Sequence, residues 1–149
     1  QCPFDRKGAT EIDEVVNDYK GRVNLVFKHM PLSFHKEARP AAQFTVAVKK
    51  IYGDEKFFKV SAILFERQND WKSDHLIKFE SYAKELKLDW KKIRAEMERP
   101  ETDLVINEDL SEAARNGIRG VPAFFINGKM VTGVKSKESF KAVIDKLLK

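Results

Sequence analysis

Cys2-Pro3-Phe4-Asp5 stands directly before the first helical pattern of the chain, and it holds the only cysteine in 149 residues. A thiol at a helix start meets unpaired backbone N–H groups and the positive end of the helix dipole, and both favour the reactive thiolate. Pro3 suits the first helical turn. Asp5 works the other way. A helix terminus contributes ~0.3–1 kcal/mol to an adjacent anion, and a like charge ~4 Å away in water costs ~1 kcal/mol, so the two influences nearly cancel. Taken alone, the pattern fits a structural terminal cysteine as well as a reactive one. One cysteine excludes an internal disulfide and any cysteine-rich zinc site, and the three histidines, His29, His35 and His75, are scattered along the chain. The residues call for no metal and no cofactor.

The elements that must position this thiol are legible from apolar spacing. Ile12, Val15, Val16 and Tyr19 predict an amphipathic helix over Ala9–Lys20, stopped by Gly21. Val23–Phe27 reads as a short buried strand, ended before Pro31. A helical block follows. Ala38–Ile51 ends before Gly53, and Asp54 caps a helix with Phe57, Ser61 and Leu64 on one stripe. Leu76, Phe79, Ala83 and Leu86 mark a further helix after Asp74. Asp89 opens a shorter one that Pro100 closes, and Thr102–Asn116 forms the last of the block before Gly117. The period then changes to two. Ala123–Ile126 and Lys129–Thr132 flank Asn127-Gly128, the strongest short-range hairpin signal. Phe140, Val143, Ile144 and Leu147 predict a closing helix. Few strands and many helices indicate an α/β sheet with a large helical insertion.

Composition narrows the function classes. The chain is 42% hydrophobic and 34% charged, the profile of a folded globular domain. No apolar run approaches the ~18 residues of a membrane span. The net charge of +5 comes from 28 basic residues interspersed with 23 acidic ones, without a basic motif or stacking platform, so no nucleic-acid partner is indicated.

The stretch Gly120-Val121-Pro122-Ala123-Phe124-Phe125-Ile126-Asn127-Gly128-Lys129 resembles the segment of thioredoxin-fold proteins that holds a cis-proline opposite the active-site thiol. Read by itself, its alternative is a plain turn before a hairpin. Joined to Cys2-Pro3-Phe4, to Val23–Phe27 with His29-Met30-Pro31-Leu32, and to Ala38-Arg39-Pro40-Ala41-Ala42, it makes the whole chain similar to the DsbA-like disulfide oxidoreductases. The resemblance implies a single thioredoxin-like domain over residues 1–149, with a helical insertion at about 34–118. It implies Cys2 as nucleophile, with Pro3, Phe4 and Asp5 completing its motif. It also implies that Val121 and Pro122 form the edge facing an extended substrate peptide. His29 is a candidate for the same rim, with core packing as its plainer role.

Two departures from that family matter. Asp5 occupies the position of the second, resolving cysteine, so a two-cysteine cycle within this chain is unavailable. The strand that the family places before its cysteine motif is missing, which predicts a longer native N-terminus or a strand supplied by a partner chain. The expected function is thiol–disulfide exchange through one cysteine on protein or small-thiol disulfides. The alternatives are a redox-inactive peptide-binding module on the same scaffold and a glutathione-dependent enzyme. By family, the expected location is the bacterial periplasm or cell exterior. An intermolecular Cys2 disulfide and strand exchange are the two routes to a dimer.

Overall fold

Residues Gln1–Lys149 are described by a computed structural model. Along the chain run α1 (Pro3–Tyr19), α2 (Ala38–Tyr52), α3 (Asp54–Glu66), α4 (His75–Glu85), α5 (Trp90–Met97), α6 (Pro100–Arg115), β1 (Ala123–Ile126), β2 (Lys129–Thr132) and α7 (Lys137–Leu147). They form two compact units. One comprises Gln1 and His29–Asn116; the other joins Cys2–Lys28 to Gly117–Lys149, two segments far apart in sequence.

The second unit holds the cysteine. Helix α1 turns one face, through Val15 and Tyr19, onto Phe140 and Ile144 of α7, and Ile12, Val23, Phe124, Ile126 and Val131 pack against that cluster. The Phe124 and Phe140 rings meet edge to face at 4.8 Å. Polar contacts run along the same seam. The Tyr19 hydroxyl donates to Asp145 at 2.6 Å, and Lys141 donates to Asp18 at 2.8 Å. Burial, reinforced by the neighbouring Asp145 carboxylate, pushes the Tyr19 hydroxyl up to about 12.

The hairpin is set by its turn. Asn127 and Gly128 both have positive φ, 48° and 81°, as a two-residue turn with the right twist requires. The ladder is antiparallel, with Phe124 opposite Val131 and Phe125 opposite Met130. Alternation then sends Phe124, Ile126 and Val131 into the cluster, while Phe125 and Met130 remain exposed.

The helical unit packs around α2, whose Phe44 is fully buried, stacks on Phe79 at 4.8 Å and meets Trp90 at 5.9 Å. Trp71, also buried, donates its indole N–H to the Leu64 carbonyl at 3.0 Å. Ala42, Val46 and Ile106 make a smaller cluster that joins α2 to α6.

Four expectations from sequence require correction. Helix α1 begins at Pro3 rather than Ala9; Phe4 is exposed and is followed by Asp5, Arg6 and Lys7, so no apolar period marks this first part of the helix. Val23–Phe27 is in no ladder, and Val26 is 74% exposed. The run has strand composition, but a strand exists only where a second one meets its N–H and C=O groups, and the one ladder here joins β1 to β2. Gly53, not Asp54, is the N-cap of α3, and Asp54 lies in the first turn. Pro100 opens α6 instead of closing α5, as a residue without an N–H can do at a first helical position.

Candidate active site

The Cys2-Pro3 dipeptide determines where α1 begins. A residue before proline is pushed away from helical geometry, and Cys2 is extended, with φ −73° and ψ 127°. Pro3 then supplies a preset φ at the first helical position. The Cys2 carbonyl starts the helix, accepting from the Asp5 N–H at 3.1 Å and the Arg6 N–H at 3.4 Å. The thiol itself does not cap the helix. Cys2 is therefore the N-cap of a 17-residue helix, at the end where backbone N–H groups and the dipole favour negative charge. It is 8% exposed, while Phe4 beside it projects outward.

Asp5 sits in the first turn of α1. Burial pushes its carboxyl up to about 6 from an ordinary 3.8. Below about pH 6 this group is mostly neutral, and above it a carboxylate charge stands in the first turn of the helix that Cys2 caps.

The Val121–Pro122 peptide bond is cis. Its position against α1 is made by Gly8, six residues beyond Cys2. A Cβ built on Gly8 would lie 3.2 Å from Pro122 Cγ, 3.3 Å from Pro122 Cβ and 3.2 Å from the tip of Phe124. The proline ring thus packs directly on the backbone of the helix that Cys2 caps. At 1.5 Å rise per residue, Gly8 is ~9 Å along that helix from the thiol's residue. On the other side, the Pro122 carbonyl accepts from the Gly133 N–H at 3.0 Å, which ties the segment to the hairpin. The backbone groups of Val121 make no hydrogen bond within the protein. Beside them is a concavity of ≈ 340 Å³, lined by Arg119, Val121, Pro122, Met130 and the adjoining backbone.

Cys2, Pro3, Phe4, Asp5, Val121 and Pro122 accordingly belong to one unit. His29 belongs to the helical unit. It is buried there, its ring edge-on to Phe57 at 6.0 Å, with its backbone N–H donating to the buried Asp109 at 2.8 Å. Sequence reasoning missed Gly8, because apolar spacing places the helix start only at Ala9; inside a helix a glycine is a signal of close packing. It also missed Arg119, which stands two residues before Val121.

The architecture is that of a helix-rich, DsbA-like thioredoxin fold. The thiol–disulfide exchange protein alpha-DsbA2 from Wolbachia pipientis matches it with a TM-score of 0.84 at 18% identity, over 98% of this chain and 76% of that one. A thioredoxin-like oxidoreductase from Silicibacter pomeroyi matches with a TM-score of 0.80 at 21% identity, over 98% and 80%. Residues 1–146 match the model of the thioredoxin family, and the chain belongs to that family. Curated relatives are of another kind by name. The Na+/H+ antiporter NhaA 1 of Salinispora arenicola is 25% identical over 145 residues, 97% of this chain and 21% of that protein. The antiporter NhaA of Nitrosospira multiformis is 28% identical over 129 residues, 86% of this chain and 20% of that protein. The chain spans about a fifth of the length of the curated relatives it matches. No helix of the chain is long and apolar enough to cross a membrane.

Proposed function

We propose that this chain is a thiol–disulfide exchange domain with Cys2 as its nucleophile and the Val121-Pro122 edge as the platform for an extended peptide. One observation carries the reading: Cys2 caps α1, and Pro122 packs on Gly8 of that same helix, so thiol and peptide edge are tied to one rigid element. On this reading residues 1–149 act as a single thioredoxin-like domain interrupted by a helical insertion. Its site of action is an oxidising compartment, the bacterial periplasm or cell exterior.

The exchange runs through one cysteine. The Cys2 thiolate attacks one sulfur of a substrate disulfide, a new Cys2–substrate S–S bond forms, and the other substrate sulfur leaves as a thiolate. With Asp5 where a resolving thiol would be needed, an external thiolate, from a protein or a small thiol such as glutathione, attacks the Cys2 sulfur or the substrate sulfur of that bond. Attack on Cys2 releases the substrate sulfur and leaves a new mixed disulfide on Cys2. Attack on the substrate sulfur releases Cys2. Mass spectrometry of the chain mixed with a peptide disulfide tests the reading. It requires a reducible adduct on Cys2 that Cys2→Ser lacks, and an unmodified native chain would end it.

A second reading rests on Asp5 and on the burial of Cys2. A carboxylate in the first turn and a buried cysteine both suit a peptide-binding module without redox turnover. On that reading Cys2→Ser binds peptides as the natural chain does.

A further inference from the structure

We infer that the edge before Pro122 selects peptides that carry a carboxylate within about two residues of the reacting cysteine, next to an apolar side chain, and that Arg119 reads that carboxylate. The inference rests on the reading that an extended peptide lies along Val121.

The first ground is the distribution of charge. Residues 117–149 contain seven Lys and Arg against only Glu138 and Asp145, so the whole formal net charge of +5 resides in this stretch. The remaining residues balance. Within the stretch, the cations are not equivalent. Lys137 and Lys141 are matched by Asp18 of α1, at 3.2 and 2.8 Å, and Lys137 also approaches Glu14 at 3.6 Å. Arg119 makes no ion pair and no hydrogen bond within the chain, yet it lines the concavity beside Val121.

The second ground is the composition of that concavity. Val121, Pro122 and Met130 give it an apolar wall, and Met130 is exposed together with its cross-strand partner Phe125. A guanidinium at the margin of an apolar hollow is poorly matched to a basic or purely polar peptide. It suits a carboxylate, which a guanidinium can bind through two parallel N–H donors. The spacing fits as well. Arg119 and Val121 line the same concavity two residues apart, so the carboxylate belongs within about two residues of the peptide residue opposite Val121.

The test separates this inference from the exchange reading by using peptides that cannot react. Three labelled extended peptides carry serine for cysteine and differ at one position two residues away, where they have Asp, Asn or Lys. Their binding to the Cys2→Ser chain is followed by fluorescence anisotropy. The Asp peptide binds about threefold to fivefold more tightly than the Asn peptide at low ionic strength, and the Lys peptide most weakly, with the differences shrinking in ~0.5 M salt. In the Cys2→Ser/Arg119→Gln chain the three converge; with Arg119→Lys the order returns in part. Arg119 is exposed, so neither replacement disturbs a packed core. Equal binding of the three, a preference that survives Arg119→Gln, or no measurable binding of the Asp peptide overturns the inference. Charge-selective binding with no adduct on Cys2 of the natural chain would leave the inference standing and remove the exchange reading. Adducts that form at rates indifferent to peptide charge would do the reverse.

Discussion

Gly8 and Pro122 touch across the space a side chain would fill, with 3.2 Å between Pro122 Cγ and the point where a Cβ of residue 8 would stand. The same point is 3.2 Å from the Phe124 ring tip, and that ring is fixed against Phe140. Alanine at this position therefore meets two opposing effects. It gains ~0.8–1 kcal/mol of helix propensity over glycine, and it overpacks a contact that has little room to yield, at a cost of ~1–3 kcal/mol. Gly8→Ala is expected to be destabilising on balance, by about 1 kcal/mol in urea unfolding, and Gly8→Leu by substantially more. A Gly8→Ala chain more stable than the natural one would show that Pro122 can retreat from α1.

Asp5 gives the chain a pH signature. Its folded carboxyl titrates at about 6 against an ordinary 3.8, so between those values the folded state holds the proton more tightly than the unfolded state. The contribution of this group is fully present below about pH 4, is lost as pH rises towards 6, and is constant above. Asp5→Asn is expected to flatten that part of the stability profile and to raise stability at pH 7. Urea midpoints between pH 4 and 7.5 measure it, and identical slopes for both chains would contradict the assignment.

The same substitution has a chemical consequence. Removing a carboxylate from the first turn removes a charge that opposes thiolate at Cys2, so Asp5→Asn should alkylate a few-fold faster at pH 7.5. An unchanged or slower rate would mean that the Asp5 charge does not reach the thiol.

In the helical unit, Phe44 is fully buried between Phe79 and Trp90. Phe44→Ala is expected to cost ~3–5 kcal/mol, the range for a deleted core aromatic, read as a lower urea midpoint with an unchanged slope. A loss under 1 kcal/mol would indicate that the unit collapses around the vacancy.

The parts of the fold that were legible in the sequence are those set by local chemistry. Asn127-Gly128 specified the hairpin because both residues need positive φ, and the apolar stripes of α2–α4 and α7 specified helices. Cys2-Pro3 pointed to a helix start for a similar reason, yet the helix was expected only from Ala9 because Asp5, Arg6 and Lys7 show no period. Pro100 reads equally as a stop or a start, since proline suits either side of a helix boundary, and here it opens α6. What could not be read depends on partners distant in sequence. Val23–Phe27 has the residues of a strand but no ladder, and the role of Gly8 is set by Pro122, 114 positions later.

Whether the fold makes Cys2 a nucleophile toward disulfides is measured by its second-order rate constant with a peptide disulfide at pH 7.5, native and in denaturant. The native chain is expected to react faster than the unfolded one, and an external thiol to remove the adduct. A native chain that reacts more slowly than the unfolded one, or not at all, would contradict the exchange reading.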